Sequence, residues 1–201
     1  AIKHFERFIK RYAEQTDLQL AAQLQIAKAW SARKSSKATK RAYEKVVRIF
    51  DDMSDDQKKA LTSGIAALAE ARFLLGEYVM AEYVKVKITA RTLEKGMTEK
   101  LEIIARAKPI FQEVYAMQQP NWMIAALDRL GLAYQQLADT IENAPLPRSL
   151  NDEQLEIYRA DLAEKSEKIR DLAIDAYKKC LEEAIAFKWF NEYSGHAERN
   201  L

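Results

Sequence analysis

The side chains that most often carry out chemistry are scarce in this sequence. Its two histidines, His4 and His196, stand near opposite ends of the chain, and neither has a cysteine, histidine or carboxylate at a spacing typical of a metal site or a catalytic triad. The single cysteine, Cys180, lies within an apolar helical pattern, which favours a buried thiol over a nucleophile. We therefore expect two exposed histidines, an inert cysteine and no catalytic or metal-binding residue.

Sites for nucleotides and for calcium are also not expected. The sequence has no GxGxxG or GxxxxGK[ST] motif to hold phosphates. The aspartate pairs at 51–52 and 55–56 lack the alternating ligands and central glycine of a calcium loop. Ser54 and Gln57 instead have the spacing of a capping box, with Asp55 and Asp56 in the first turn of a helix. The sequence thus predicts no cofactor, no small-molecule substrate and no enzymatic activity.

Positive charge is the strongest chemical signal. The net charge of the chain is only +2, but residues 1–50 contain twelve Lys or Arg and four Asp or Glu. Such a cluster would attract an anionic lipid surface or a nucleic acid, although it lacks the interleaved aromatic residues that stack on bases. A basic module is therefore an alternative function, with nucleic acid the less favoured ligand. The basic cluster consists of Arg33, Lys34, Lys37, Lys40, Arg41, Lys45 and Arg48.

The overall composition predicts a helical protein. Hydrophobic residues make up 48% and charged residues 31% of the 201 residues, with only five Gly and four Pro, so helices are favoured and turns are few. No linker-like segment divides the chain, and we expect one helical-repeat domain over residues 1–201. Because the sequence begins at Ala1, we interpret it as a fragment of a longer protein. Membrane association is expected only through segments outside it, since no apolar run approaches twenty residues.

Hydrophobic periodicity predicts two helix pairs before residue 100. The first pair comprises a helix from Thr16, with a capping box to Gln19, and a helix over 38–50, preceded by a separate helix over 2–15. The second pair comprises helices over 60–75 and 79–88, joined by a turn at Gly76. Gly96 is predicted to break the chain again, before a helix over 101–117 that Pro109 should kink.

Two short runs then resemble the halves of a single helix–turn–helix repeat. They cover 130–134 (LGLAY) and 173–181 (AIDAYKKCL), and Gly131 in the first run would let the partner helix approach closely. About thirty extra residues separate the halves, with a turn predicted at Ala144-Pro145-Leu146-Pro147. Asn151 is predicted to cap a helix over 152–188, which would be about 54 Å long.

The extra residues, 143–172, should make that helix overhang its own repeat. The overhang carries an apolar stripe at helical spacing, which is unlikely to be left in water. We favour an interpretation in which it covers the preceding helix at Ile103, Ile104 and Ile110, and a docking surface for a partner subunit is the alternative. The stripe consists of Leu155, Tyr158, Leu162, Ile169 and Leu172.

These patterns resemble the tetratricopeptide repeat (TPR) superfamily, loosely over 16–95 and more closely over 121–181. The C-terminal stretch is similar to that of bacterial TPR proteins from gliding-motility and cell-envelope complexes. The residues that carry this resemblance are Trp122, Ala125-Ala126, Leu130-Gly131, 144–147, Leu150, Tyr158, Ala173, Tyr177, Cys180 and Asn191. The resemblance implies an all-α solenoid of antiparallel helix pairs forming a right-handed superhelix, with an extended C-terminal repeat. It also implies a periplasmic or envelope-facing location; without it, a cytoplasmic location would be expected.

The resemblance further implies a function in protein binding. TPR proteins commonly bind extended peptides on the inner face of the superhelix, so the partner expected here is a protein or an extended peptide. The Lys, Arg and Asn side chains of the carboxylate-clamp subgroup are mostly missing, so chaperone C-termini are not expected as ligands. Registering the repeats against the family pattern places nine residues on the inner face: Leu24, Lys28, Ser31, Glu70, Phe73, Asp128, Leu132, Gln135 and Gln136.

Overall fold

The fold is all-α, as the composition predicts. A computed structural model describes residues 1–89, 91–147 and 150–201, and within these ranges the chain forms nine α-helices and no strand. The helices are α1 (Ile2–Arg11), α2 (Thr16–Ala32), α3 (Ser36–Asp51), α4 (Asp55–Lys59), α5 (Gly64–Tyr83), α6 (Leu93–Ala116), α7 (Pro120–Glu142), α8 (Asp152–Ala186) and α9 (Glu192–Arg199).

Six of the helices form three antiparallel hairpins, α2/α3, α5/α6 and α7/α8, stacked in chain order. Both helices of the first hairpin pack against α5, and both helices of the second pack against α7. Helix α9 in turn packs against both helices of the third hairpin, and α1 packs against α2. The apolar face of each hairpin is therefore covered by the next element along the chain, which is how helical-repeat proteins build a continuous core.

The second hairpin differs from the predicted one because its glycines are contact residues and not turns. Gly76 lies inside α5, where a Cβ atom would come within 2.6 Å of the Phe111 ring of α6. Gly96 lies inside α6, where a Cβ atom would come within 2.8 Å of Ile88. The predicted turn at Gly76, break at Gly96 and helix over 79–88 are therefore wrong. Helix α5 ends at Tyr83, and α6 begins at Leu93 and continues through Pro109.

The predicted capping boxes gave opposite outcomes. Ser54 and Gln57 form theirs: the Ser54 hydroxyl accepts from the Gln57 N–H at 3.3 Å, and the Gln57 side chain accepts from the Ser54 N–H at 2.9 Å. The box at Thr16 is wrong, since Thr16 is already the first helical residue and makes no cap. The Gln19 side chain donates instead to the carbonyl of Ala13, so sequence spacing alone did not identify the cap.

Helix α5 is capped from another helix. The Asp17 carboxylate, on α2, accepts from the backbone N–H groups of Thr62 and Gly64 at 3.0 and 2.5 Å, and from the Thr62 hydroxyl at 3.2 Å. Ser63, which precedes α5, makes no side-chain cap of its own. Unpaired N–H groups at a helix start are costly, and negative charge there is favourable. Asp17 therefore joins the first two hairpins through a hydrogen-bonded cap.

We predict that Asp17→Ala destabilises the protein by about 1–2 kcal/mol, the usual cost of losing a helix cap. Asp17→Asn keeps an acceptor oxygen and should recover much of this loss. Thr16→Ala is the matched control, because the neighbouring Thr16 side chain makes no cap hydrogen bond. Urea denaturation of the three variants would measure the differences. Equal stabilities for Asp17→Ala and Thr16→Ala would show that the cap contributes nothing.

The third hairpin follows its prediction closely. The side chain of Asn151 accepts from the Gln154 N–H at 2.9 Å, and the Gln154 side chain accepts from the Asn151 N–H at 3.1 Å, so the two form a capping box. Helix α8 then runs for 35 residues, about 52 Å at the standard rise. Residues 144–147, the predicted turn, are not helical, and residues 148 and 149 of the predicted insertion lie outside the described residues. At Gly131, a Cβ atom would come within 2.6 Å of the Tyr177 ring, so the predicted close approach is confirmed.

The overhanging part of α8 joins an apolar cluster that contains residues of the second hairpin and of α7. Leu162 is buried in a cluster with Ile103 and Ile104 of α6, and Tyr158 and Ile169 pack at its edge. This agrees with the interpretation that residues 143–172 cover the preceding helix, although Ile110 is not in that cluster. Leu172 is 48% exposed, so the stripe does not bury its whole length.

Candidate functional site

The first helices of the hairpins, α2, α5 and α7, lie side by side and are extended by α9. Contacts along their length show that they run parallel. Glu77 of α5 contacts Arg129 of α7, and Tyr83, further along α5, donates its hydroxyl proton to the carbonyl of Ala133, further along α7, at 3.3 Å. These four helices form one continuous face, which we call the inner face; it corresponds to the surface where the nine binding residues were predicted.

Each pair of neighbouring helices on the inner face is joined by an ion pair. Lys28 of α2 lies 2.7 Å from Glu70 of α5, and Arg129 of α7 lies 3.0 Å from Glu77 of α5. His196 of α9 lies 2.6 Å, from Nδ1 to Oδ1, from Asp128 of α7. The charges of Lys28, Glu70, Glu77 and Arg129 are therefore paired within the chain.

The pair between α7 and α9 is the most enclosed. The Asp128 side chain is 1% exposed, its Oδ1 is bonded to His196, and its Oδ2 has no hydrogen-bond donor within range in the described part of the chain. Burial raises the pKa of the Asp128 carboxyl, while the hydrogen bond from His196 lowers it. Arg129, with its Nη1 3.6 Å from Oδ2, adds positive charge. His196 is itself half-buried, so the expectation that it is exposed is wrong.

Further hydrogen bonds extend the contact between α9 and the third hairpin. Tyr177 donates to the Gln135 side-chain oxygen at 2.7 Å, and Gln135 donates to the Asn200 side chain at 3.0 Å. At the other end, Asn191 donates to Asn121 at 3.1 Å, and the Tyr193 ring packs edge-on against Phe73, with 5.8 Å between the ring centroids. Helix α9 is thus fixed to the face by polar and aromatic contacts along its whole length.

Two cavities open on the inner face on either side of Glu77. One, of about 290 Å³, lies between the first hairpin and α5, and the other, of about 360 Å³, lies between α5 and α7. They share Glu77 and Ala81, and together we call them the inner groove. Burial raises the pKa of Glu77, and the charge of Arg129, whose Nε donates to both Glu77 carboxylate oxygens, opposes that rise. The remaining lining residues are Ser31, Thr39, Tyr43, Leu74, Tyr78, Met80, Tyr83, Val84, Leu132, Ala133 and Gln136.

The nine predicted binding residues fall into three groups. Ser31, Leu132 and Gln136 line the inner groove, and Lys28 and Glu70 form an ion pair on the same face. Gln135 is half-buried and bonded to α9. Leu24, Phe73 and Asp128 are buried, at 5%, 1% and 0% exposure, so placing them on the binding surface was wrong. Their side chains pack into the core or, for Asp128, against α9.

Sequence reasoning missed Glu77, Arg129 and Tyr193. The Arg129 guanidinium lies 5.3 Å from the centre of the Tyr193 ring as well as beside Glu77, so it joins α5, α7 and α9. These partners are separated by 52 or more residues in sequence, and no local spacing indicates them. A placement of α9 beside α7 would have been needed to find the group.

The environment of Cys180 does not favour a role as a nucleophile. The Cys180 thiol is fully buried, and burial raises its pKa to about 12. It donates to the Ile124 carbonyl at 3.5 Å, and a protonated, enclosed thiol is a poor nucleophile. Among the described residues, no three His, Cys, Asp or Glu side chains come together as a group that could hold a metal ion.

Comparisons with protein-family models, with curated proteins and with solved structures gave no match. In the described part of the chain, none of the helices combines the length and the apolar character needed to cross a membrane.

Proposed function

We propose that this chain is a non-catalytic scaffold of TPR type that binds an extended peptide of a partner protein in the inner groove. The observation that carries the proposal is the pair of adjoining cavities on a face built by parallel helices from three successive hairpins. A peptide lying across α5 would place side chains in both cavities and pass over Ala81. The ion pairs beside the groove are already satisfied within the chain, so apolar and small polar side chains suit it better than charged ones.

A location in a cell-envelope or motility-associated assembly is part of the proposal. It is supported only by the sequence resemblance of residues 121–191, and the protein-binding role does not depend on it. The non-catalytic role is supported by the inert Cys180 and by the use of Asp128 and His196 in holding α9.

We predict that Ala81→Arg abolishes peptide binding without unfolding the protein. Ala81 is exposed and lines both cavities, so a long side chain there would fill the groove while α5 remains intact. Ala105→Arg is the matched control, because Ala105 is an exposed alanine on α6 that lines neither cavity. Peptides selected from a random phage-displayed library against the 201-residue protein would be measured by fluorescence polarisation.

Binding that is lost in Ala81→Arg and kept in Ala105→Arg would support the inner groove as the site. The proposal fails if the selection yields no binding peptide, or if the selected peptides bind both variants equally.

A further inference from the structure

A second cleft lies between α1 and α3, with α2 as its floor. Its volume is about 410 Å³, and it shares none of its lining residues with the inner groove. It lies beside the basic cluster, which is exposed at all seven positions. The residues that line this cleft are Glu6, Gln23, Ile26, Trp30, Ser35, Lys37, Ala38, Arg41, Ala42 and Lys45.

One wall of the cleft is a row of cations. Lys37, Arg41 and Lys45 follow one another at four-residue spacing along α3, which places successive charges about 6 Å apart on one side of the helix. None of the three has a carboxylate within ion-pair distance in the ranges that the structure describes, whereas Lys28, Arg72, Arg106, Arg129 and Arg170 all do. These three positive charges are therefore open to an external anion.

The floor of the cleft is apolar except for one amide. Ile26 lies on this floor, and the small side chains of Ala38 and Ala42, on the α3 wall beside it, leave the space between α1 and α3. Gln23 lies on the same floor and is only 2% exposed. Its Nε2 donates to the Ala42 carbonyl at 3.4 Å, but its Oε1 receives no donor from the described residues. A buried acceptor of this kind is costly unless a donor reaches it.

From this combination we propose that the cleft binds an acidic peptide segment in an extended conformation, with acidic and apolar residues alternating. In an extended chain, every second side chain points the same way at a spacing of about 6.6 Å, close to the spacing of the cations on α3. Acidic side chains would pair with Lys37, Arg41 and Lys45, and the intervening apolar side chains would cover Ile26 and the two alanines. A backbone N–H of the peptide supplies the donor that Gln23 lacks.

Other anionic ligands fit the cleft less well. A lipid phosphodiester carries negative charge but offers no N–H group to Gln23. A single-stranded nucleic acid would need an open aromatic face for stacking, and the guanidinium of Arg33 already lies over the Trp30 ring, 5.5 Å from its centre. The recessed apolar floor is instead matched by a peptide, which brings acidic, apolar and N–H groups in regular alternation.

The test uses the fluorescein-labelled peptide Ser-Glu-Val-Glu-Val-Glu-Ser and the 201-residue protein at about 50 mM salt, where charge pairing is weakly screened. We expect Arg41→Glu to weaken binding by about tenfold or more, because it replaces the central attraction by repulsion. Lys108→Glu is the matched control: Lys108 is an exposed lysine of α6 outside the cleft, and this variant has the same formal net charge as Arg41→Glu. It should change the affinity by less than about twofold, as long-range charge effects are screened.

Two further variants separate the parts of the proposal. Gln23→Leu should weaken peptide binding several-fold and change the melting temperature little, because it removes an acceptor that has no donor together with the long hydrogen bond from Nε2 to the Ala42 carbonyl. Ala81→Arg should leave this peptide's binding unchanged, which distinguishes a failure here from a failure of the inner groove. The same peptide with Gln in place of Glu should not bind detectably.

The proposal is overturned if the peptide does not bind the wild-type protein, or if Arg41→Glu and Lys108→Glu weaken it equally. It is also overturned if vesicles of phosphatidylglycerol and phosphatidylcholine, or a twelve-residue oligothymidylate, bind more tightly than the peptide and lose affinity in Arg41→Glu. Those results would assign the cleft to a lipid surface or to single-stranded nucleic acid.

Discussion

Gly131→Leu should lower the melting temperature by about 6–12 °C, the shift that a loss of about 3 kcal/mol produces in a protein of this size. The physical reason is the absence of space. Even the first side-chain carbon would lie 2.6–3.0 Å from three atoms of the Tyr177 ring. Tyr177 cannot move aside freely, since it is buried and its hydroxyl is bonded to Gln135. The larger side chain must therefore push α7 and α8 apart along the longest contact in the protein.

The matched control is Gly195→Ala, in the middle of α9. A Cβ atom there would meet only the end of the Arg199 side chain, at 3.5 Å, which is ordinary contact. Alanine also favours a helix over glycine by about 0.5–1 kcal/mol, so this variant should be as stable as the wild type or slightly more stable. Differential scanning calorimetry of both variants would decide the matter. An unchanged melting temperature for Gly131→Leu would contradict the packing of α7 against α8 described above.

His196→Ala should destabilise the protein by about 3 kcal/mol, because it leaves the buried carboxylate of Asp128 without its closest partner. Arg129 lies 3.6 Å from the other carboxylate oxygen and is already paired with Glu77, so it compensates only in part. In an Asp128→Asn background the same His196→Ala change should cost about 1 kcal/mol, the cost of an ordinary hydrogen bond. Urea denaturation of the four proteins in this cycle would give the coupling between the two residues. Equal costs in both backgrounds would show that the pair is not coupled.

The cost of His196→Ala should also shrink as the pH falls. Burial raises the pKa of the Asp128 carboxyl in the folded protein above its ordinary value of 3.8. A carboxyl with a raised pKa binds its proton more tightly in the folded state, so its destabilising effect is present above the folded pKa. That effect is relieved as the pH falls through the folded pKa towards 3.8. The difference in unfolding free energy between His196→Ala and the wild type should therefore become smaller as the pH falls from the folded pKa of Asp128 towards 3.8. In the Asp128→Asn background, the same His196→Ala change should cost nearly the same free energy throughout this pH range.

The sequence predicted the start of a helix well where the cap and the acidic residues of the first turn are close together in the sequence. Asn151, Asp152 and Glu153 are consecutive, and they identified the start of α8 to the residue. The glycines were ambiguous, because a glycine allows either a turn or a close contact, and only the partner side chain decides between them. Gly131 was correctly assigned to a contact, but Gly76 and Gly96 were assigned to turns because Phe111 and Ile88 could not be placed beside them.

The binding surface was predicted less well than the fold. Residues Ser31, Leu132 and Gln136, placed on this face by registering the repeats against the TPR pattern, do line the inner groove. The sequence pattern does not show how far α9 extends over α7. Contacts with α9 occupy the side chains of Asp128 and Gln135. His196 is 68 residues from Asp128 in sequence, so their pairing is a property of the tertiary structure.

The stacking of the hairpins in chain order has a consequence for how the protein folds. Each helix packs on its own hairpin partner and on the next elements along the chain, so the core is built from contacts between neighbouring hairpins. Nucleation can begin in more than one hairpin, but the third has the advantage of the long α7–α8 contact, which the overhang of α8 extends onto α6. The opposite end is the weakest, because α1 has no buried residue and packs mainly on α2. Unfolding should therefore start by fraying at α1 and reach α7 and α8 last, so that the wall of the acidic-peptide cleft formed by α1 opens well before the inner groove is lost.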